Sequence, residues 1–481
     1  MNPSSSQVAR LLLLVLLAVF FLGAALYGNA PGASAVQAGT GSVNTLYLPV
    51  LLKHLPLRRV NVPHFNSVTY SRSAIFWFGR ISPTENYADV RVGYTDTELY
   101  LHVNVFDRRI WYSTNPLTTD LTNWDAVSLY LQPGGSTGAV PDTNDYRFDA
   151  EFSNLQDRSG GRWQAAYRGN GDGWGLVSLP FVTETMYRGQ GPNQNADDAG
   201  WDMIFHIPFS SLGLSGPPSQ GALWKMGLVL HDRDDAVGTP IPVKTWPEYL
   251  EPNQPSTWGQ ISFGLLPPYV PPHATPRSTV IIKNGLNGAV VPDGEVGGWT
   301  TCGEGLETWN QWGNTNYAGV QQINIQNEWD VADWRCFAKY YITFPLNSIP
   351  PGKVVISSTL TLYQFGNAGQ GYNPGPTRSL IQVMTVNDNW DEATLTWNNA
   401  PLAAENVSQA FVDPINYLPP WPGLARTWDV SSAVASAYAA GRPLRLVLYS
   451  ADTNYHSGKY FNSSDADPEG RPTLSVLWGD P

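Results

Sequence analysis

Charge is scarce in this chain. Asp, Glu, Lys and Arg make up 14% of its 481 residues, where an ordinary soluble domain carries about a quarter. Acidic residues outnumber basic ones by 40 to 28, for a net charge of −12. That balance excludes the basic surface by which proteins hold nucleic acid or anionic membranes. Cysteine is almost absent, with only Cys302 and Cys336. Two thiols cannot supply the four ligands of a structural zinc site. A disulfide is their natural state outside the cytosol, and a free pair is the competing reading. Histidine numbers 7, and no two fall at a ligand spacing on a helix. No G-x-S-x-G, H-E-x-x-H or P-loop occurs, so no recognised catalytic motif is present. Apart from one short stretch near the C-terminus, segments of 3.6-residue periodicity are missing too.

What the chain does have is turn formers and large rings. Gly (45) and Pro (39) are abundant, hydrophobic residues reach 42%, and there are 19 Trp. This is the composition of a turn-rich β protein with real cores. Most of the Trp rings belong in such cores. Any that remain exposed offer flat apolar faces of the kind found in ligand sites.

The one long apolar run is Leu11–Tyr27, which follows Arg10 and precedes Ala33-Ser34-Ala35. A positive start, an apolar middle and an A-x-A site describe a secretory signal over residues 1–35, with a retained membrane anchor as the rival reading. Either places the remainder outside the cytosol. Residues 36–64 read as a linker. A second proline-rich stretch, Leu266–Pro276 within 265–277, divides the rest into blocks 65–264 and 278–481. Proline fixes φ and lacks a donor, so this stretch is expected to stay out of the sheets and to act as a stiff rod between independent bodies, with a proline-rich surface loop inside one large domain as the alternative.

In the first block the strand period is plain. Leu99, Leu101, Val103 and Val105 alternate with Tyr100, His102, Asn104 and Phe106. Tyr146, Phe148 and Ala150 alternate with Arg147, Asp149 and Glu151. Half-buried antiparallel strands in a two-sheet sandwich give this pattern. The runs E-L-Y-L-H-V-N-V-F-D, W-D-A-V-S-L-Y-L, G-W-D-M-I-F-H-I-P-F-S-S-L-G-L and W-G-Q-I-S-F-G follow in order. Together they resemble family 9 carbohydrate-binding modules and their DOMON-like relatives. The resemblance implies a β-sandwich that holds a sugar between aromatic rings, with structural calcium in some members. Trp111 and Trp174 sit beside loops and are the candidate stacking rings, rim packing being the alternative. Arg147 and Glu151 are candidates for sugar hydroxyls, against a mutual charge network on a wet face. Asp232 and Asp234 are candidate Ca2+ ligands, against a solvated turn.

The second block carries N-T-N-Y-A-G (Asn314–Gly319), I-P-P-G-K-V-V-I-S-S-T-L-T-L-Y (Ile349–Tyr363), W-D-E-A-T-L-T-W-N-N-A-P (Trp390–Pro401) and R-P-T-L-S-V (Arg471–Val476). Their order and spacing resemble the disaggregatase-related (DNRLRE) domain, also classed as carbohydrate-binding module family 96. The resemblance implies a jelly-roll sandwich of surface proteins and polysaccharide-active enzymes. Read physically, Trp390–Pro401 is a sharp corner, and Val430–Ala440 is the one short helix, capped by Asp429. Asp465 and Asp467 in the final acidic turn are further candidate Ca2+ ligands.

The expectation is an all-β protein of two jelly-roll-like β-sandwiches, monomeric and either extracellular or at the cell surface. It binds a polysaccharide or oligosaccharide without catalysis, needs no cofactor beyond optional Ca2+, and has no nucleic-acid partner. The alternatives are a polysaccharide hydrolase or lyase and an adhesive scaffold.

Overall fold

In the strand Glu98–Phe106, Leu99, Leu101, Val103 and Val105 all point into one apolar core, as their alternation predicts. The opposite face was expected to be wet. It is not: Tyr100, His102, Asn104 and Phe106 are fully buried as well. Tyr70 packs on Tyr100, the second block covers His102, Asn104 and Phe106, and that contact organises the molecule.

The computed structural model describes residues 56–119, 121–135, 138–154 and 162–481. The signal or anchor of 1–35 and most of the 36–64 linker lie outside the described residues. Within Leu55–Pro481 the chain forms one compact unit. It is almost wholly β.

The first block pairs two sheets. One is five-stranded and antiparallel, in the order Ala74–Ser82, Glu85–Tyr94, Glu98–Phe106, Asp198–Pro208, Val182–Gly189. The other runs Gly259–Phe263, Leu223–His231, Ala126–Gln132, Tyr146–Glu151, Gln164–Gly169, Trp174–Val177. Their facing sides hold Phe148, Met203, Phe205, Trp201 and Ile261.

The second block is likewise a sandwich. One sheet orders Asp293–Gly297, Ala338–Phe344, Leu444–Ser450, Ser379–Val386, Ala403–Val412. The facing sheet contains Thr275–Lys283, Thr473–Asp480, Val354–Asn367, Lys459–Asn462 and Gln322–Ile325. The expected helix is present as Ser431–Ala439, and the Asp429 carboxylate accepts the Ser431 N–H at 2.9 Å. Cys302 and Cys336 are joined by a disulfide.

The two blocks are not held apart. The strand Arg59–Val62, inside the segment read as linker, pairs in parallel with Gly259–Phe263 and touches Ala403–Val412 at Arg59–Glu405. It thereby fuses one sheet from each block into a single 13-stranded sheet. A separate apolar cluster spans the junction, with Trp77, Tyr87 and Phe106 from the first block against Trp312, Trp334, Trp397 and Tyr449 from the second. Each such ring contributes about 2–3 kcal/mol by leaving water.

Buried cations sit in this junction, Arg91 and Lys339 among them. Arg91 donates to Ala451 O (3.1 Å), Asn327 Oδ1 (3.0 Å), Glu328 O (2.7 Å) and Asp452 O (2.9 Å), all in the second block. Lys339 Nζ lies 3.3 Å from the Trp397 ring centre and 4.4 Å from that of Trp77, and it donates to the Tyr87 hydroxyl. Asp89 faces both blocks, accepting from Tyr87 at 2.8 Å and from Tyr449 at 2.5 Å. The sharp corner of the second block joins in. Asn398 accepts from Ile81 N at 2.8 Å and donates to Ile81 O at 2.9 Å, like an added rung on the first block's strand.

The proline stretch is therefore a strap, not a rod. Tyr269 Oη donates to Val355 O at 3.0 Å, fastening it to the second block. Its last proline does enter a sheet: Pro276 lies opposite Gly479 on an edge strand, where a missing donor costs nothing. Stiffness was legible from the prolines. The apolar surface that draws the two bodies together lay in residues read as strand backs.

Candidate functional site

The first block's second sheet keeps an outer face that the other block does not cover. Pairing registers place Gly227, Tyr130, Arg147 and Tyr167 side by side across four strands. Gly227 must lack a side chain, since a Cβ there would meet Leu250 Cδ1 at 2.1 Å. Leu250 and Trp258 fill that space, and Trp174 stacks on Trp258 with ring centres 6.2 Å apart and planes 11° apart. Trp174 Nε1 donates to Asn253 Oδ1 at 2.9 Å, which fixes the ring at the rim while leaving it half-buried.

Arg147 occupies the centre of this face. Its guanidinium carbon lies 5.0 Å from the Tyr167 ring centre and 6.0 Å from that of Tyr130. Nε and Nη2 pair with the Asp149 carboxylate at 2.8 and 2.6 Å. Asp149 also accepts from Ser128 Oγ at 2.7 Å, and that hydroxyl lies 3.1 Å from His231 Nε2. Burial, then Arg147 and Arg233, push His231 down to about 3, so it is neutral at pH 7. The result is a rigid cation between tyrosine rings, with a tryptophan at its margin. Tyr130, Tyr167 and Trp258 were not singled out by sequence. The signal was there, since Tyr130 and Tyr167 alternate out of phase with core residues.

Two expected sugar-contacting residues are not on this face. Trp111 is 8% exposed, and its backbone N–H donates to Asp125 Oδ2 at 2.7 Å. Glu151 is fully buried, and its Oε1 accepts from Ser113 N at 2.5 Å. Both are loop-anchoring groups beneath the surface, because Glu151 lies beyond the point where the strand passes under the 111–125 loop.

Asp232 and Asp234 come together with Asp107, carboxylate oxygens lying within 4.8 Å of one another. Asp125 adjoins them and accepts the Arg233 N–H at 2.8 Å. Asp107 and Asp232 are each 2% exposed, and Asp232 Oδ1 has no hydrogen-bond partner among the described residues. Burial and then Asp234 push Asp232 up to about 8, while burial above all pushes Asp234 up to about 6. Desolvated carboxylates with an open oxygen fit a hard, oxygen-seeking divalent cation. Asp107 went unnoticed because it reads only as the residue closing a strand.

In the second block Asp465 meets Asp293 and Glu392 within 4.8 Å, not Asp467. Asp467 is exposed, and its carbonyl caps a turn by accepting from Gly470 N at 3.0 Å. Asp293 oxygens are already taken by Ser464 N (2.6 Å), Ser464 Oγ (2.7 Å) and Tyr340 Oη.

Residues 308–477 match the sequence model of carbohydrate-binding module family 96. Among solved structures, a family 9 carbohydrate-binding module from Caldicellulosiruptor kristjanssonii, in complex with cellotriose, is 16% identical with a TM-score of 0.30. The match covers 45% of this chain and all of that one. A second structure of a family 9 module from that organism, with glucose, is 13% identical over 45% of this chain and all of its own length, with a TM-score of 0.30. No curated protein matches the chain. The family that the second block resembles in sequence is thus the family whose model matches residues 308–477.

Proposed function

We propose that the chain is a non-catalytic carbohydrate-binding protein acting outside the cytosol. It takes saccharide on the open outer face of the first block. The observation that carries the site is the partly exposed Arg147 and Tyr167, flanked by Trp174 and backed by the buried Tyr130. Sugar C–H faces lie on aromatic rings, and a fixed guanidinium donates to ring hydroxyls or oxygens. The family 96 match over residues 308–477 supports the carbohydrate reading. The disulfide supports the extracellular one.

Ca2+ held by Asp107, Asp232 and Asp234 would neutralise the buried carboxylates and brace the loops beneath Trp111. Its role here is structural. Asp107 and Asp232 lie below the surface and Asp234 is partly exposed, all three apart from the Arg147 face.

The test is a panel of soluble polysaccharides in affinity electrophoresis, with reducing-end and unsaturated-sugar release assayed in parallel. Retardation without product release, weakened by Arg147→Gln and by Tyr167→Ala, is expected. Product release from any member replaces binding with catalysis. Added Ca2+ is expected to raise the Tm of the wild type and to leave that of Asp232→Asn unmoved. An equal rise in both removes Asp232 from the site.

A further inference from the structure

The second block has a hollow at the end of its helix. It measures about 770 Å³. It lies where the segment joining Ala338–Phe344 to Val354–Asn367 meets the C-terminal end of Ser431–Ala439. A cleft of that size is in the range that holds small molecules. Its walls include Pro345, Leu346, Ile349, Pro351, Tyr438 and Pro443. The three prolines carry no N–H, so these parts of the wall offer no backbone donor. Leu346 and Ile349 continue the apolar core of the block into it. The Tyr438 hydroxyl is already occupied, donating to Pro350 O and accepting from Lys353 N at 3.0 Å, so its ring is what it offers. A sugar would leave most of its hydroxyls unpaired against such walls. A hydrocarbon chain would not.

Arg442 is the one charged residue of the lining, exposed at the rim just past the helix. Its Nη1 donates to Asn387 Oδ1 at 3.0 Å, and among the described residues no carboxylate pairs with it. Nor is the guanidinium spent on the helix end. The carbonyls of Ser436, Ala437 and Tyr438 receive the backbone N–H groups of Ala440, Arg442 and Gly441. Arg445 is a second cation close by; burial, and after it Arg442, hold its pKa below the usual value. The acid of this corner, Asp388, is paired with Arg58 at 3.2 Å. An unmatched guanidinium at the lip of an apolar hollow fits a ligand with a hydrocarbon body and an anionic head. A carboxylate suits it better than a phosphate dianion. It matches a single guanidinium fork, and the helix turns its partly negative C-terminal end toward the hollow, which disfavours a second negative charge.

We propose that this hollow binds the alkyl chain of a long-chain fatty acid, with the carboxylate on Arg442. The site belongs to the second block alone and does not depend on carbohydrate binding by the first.

Calorimetric titration of the full chain tests it, with octanoate, decanoate, dodecanoate, decanol and decyl phosphate as probes, each below its micellar concentration. One equivalent of decanoate is expected to bind. Affinity is expected to rise at least about twofold per added methylene from octanoate to dodecanoate, toward the roughly fourfold of full burial. Decanol is expected to bind at least about tenfold more weakly than decanoate, and Arg442→Gln to abolish that difference with the Tm kept within a few degrees. Ala439→Trp, at an exposed helix position on the wall, is expected to block the hollow and remove binding. Equal binding of decanoate and decanol by the wild type overturns the carboxylate contact, and so does decyl phosphate binding tighter than decanoate. Decanoate affinity unchanged in both variants places the chain elsewhere. Failure of the folded protein to bind decanoate removes the site. A dimer in size exclusion that Ala439→Trp splits, with no decanoate bound, makes the hollow a contact between two copies instead.

Discussion

The first block has two sheets whose outward sides meet opposite fates. On the five-stranded sheet the outward residues are Tyr100, His102, Asn104 and Phe106; Tyr70 of the same block packs on Tyr100, and the second block packs on the other three. On the other sheet they are Tyr130, Arg147, Asp149 and Tyr167, and Arg147, Tyr167 and the adjoining Trp174 keep partial access to solvent. Both sides read identically as strand backs. The difference lies in side-chain chemistry. The covered side ends in apolar rings that merge with Trp77 and Trp334, and it does not satisfy all its polar groups itself: His102 meets Asp202 of its own sheet, but Asn104 reaches across the junction to Trp329 O at 3.4 Å. The open side satisfies its charges within itself, Arg147 on Asp149, and so needs no covering body. A strand back that cannot satisfy its own polar groups predicts a partner. One that can is free to serve as a site.

The largest effect belongs to the covered side. Arg91→Met removes the cation from four acceptors of the second block and leaves buried polar groups unpaired, at a cost of about 3–5 kcal/mol. Urea unfolding measures this. A loss under about 1 kcal/mol would mean that solvent enters the junction and that the two sides are not different in kind.

Next comes pH. Burial pushes Glu328, whose carbonyl receives Arg91, up to about 7. Its folded form holds a proton more tightly than its unfolded form, so its stabilising contribution is complete at low pH and is lost as pH rises from about 4.5 to 7. The size is on the order of 1–3 kcal/mol. Glu328→Gln is expected to flatten the stability curve across that window. An unchanged slope would place Glu328 in contact with water.

The smallest effect on stability, and a clear one on binding, belongs to the open side. Trp174→Ala is expected to weaken saccharide binding roughly tenfold, about 1–2 kcal/mol, while the Tm moves by only a few degrees. A large fall in Tm with unchanged affinity would make Trp174 a packing residue for Trp258 and Tyr130 alone.

Much of this was legible in the sequence. Period-two alternation placed the cores of both sandwiches, Asp429 marked the helix start, and the cysteine pair announced its bridge. Asp232 and Asp234 were visible as paired acids. What was not legible depends on distance through space. Asp107 and Asp125 join them from strand and loop ends more than 100 positions away. Glu151 and Trp111 shared the strand and loop signals of surface residues, yet the 111–125 loop folds over them. The prolines of 265–277 correctly signalled stiffness. They carried no information about whether the stiff piece separates two bodies or straps them together. That was settled by Trp77, Trp334 and Trp397, which any β core would also have absorbed.

The central claim is that the two blocks form one body through a buried junction. A protease site placed within residues 266–274, cut in the folded protein and followed by size exclusion in native buffer, tests it most directly. The two fragments are expected to elute together at the mass of the uncut chain and to unfold in one transition. Two separate peaks, each melting independently, would contradict the account and restore the picture of bodies joined only by their linker.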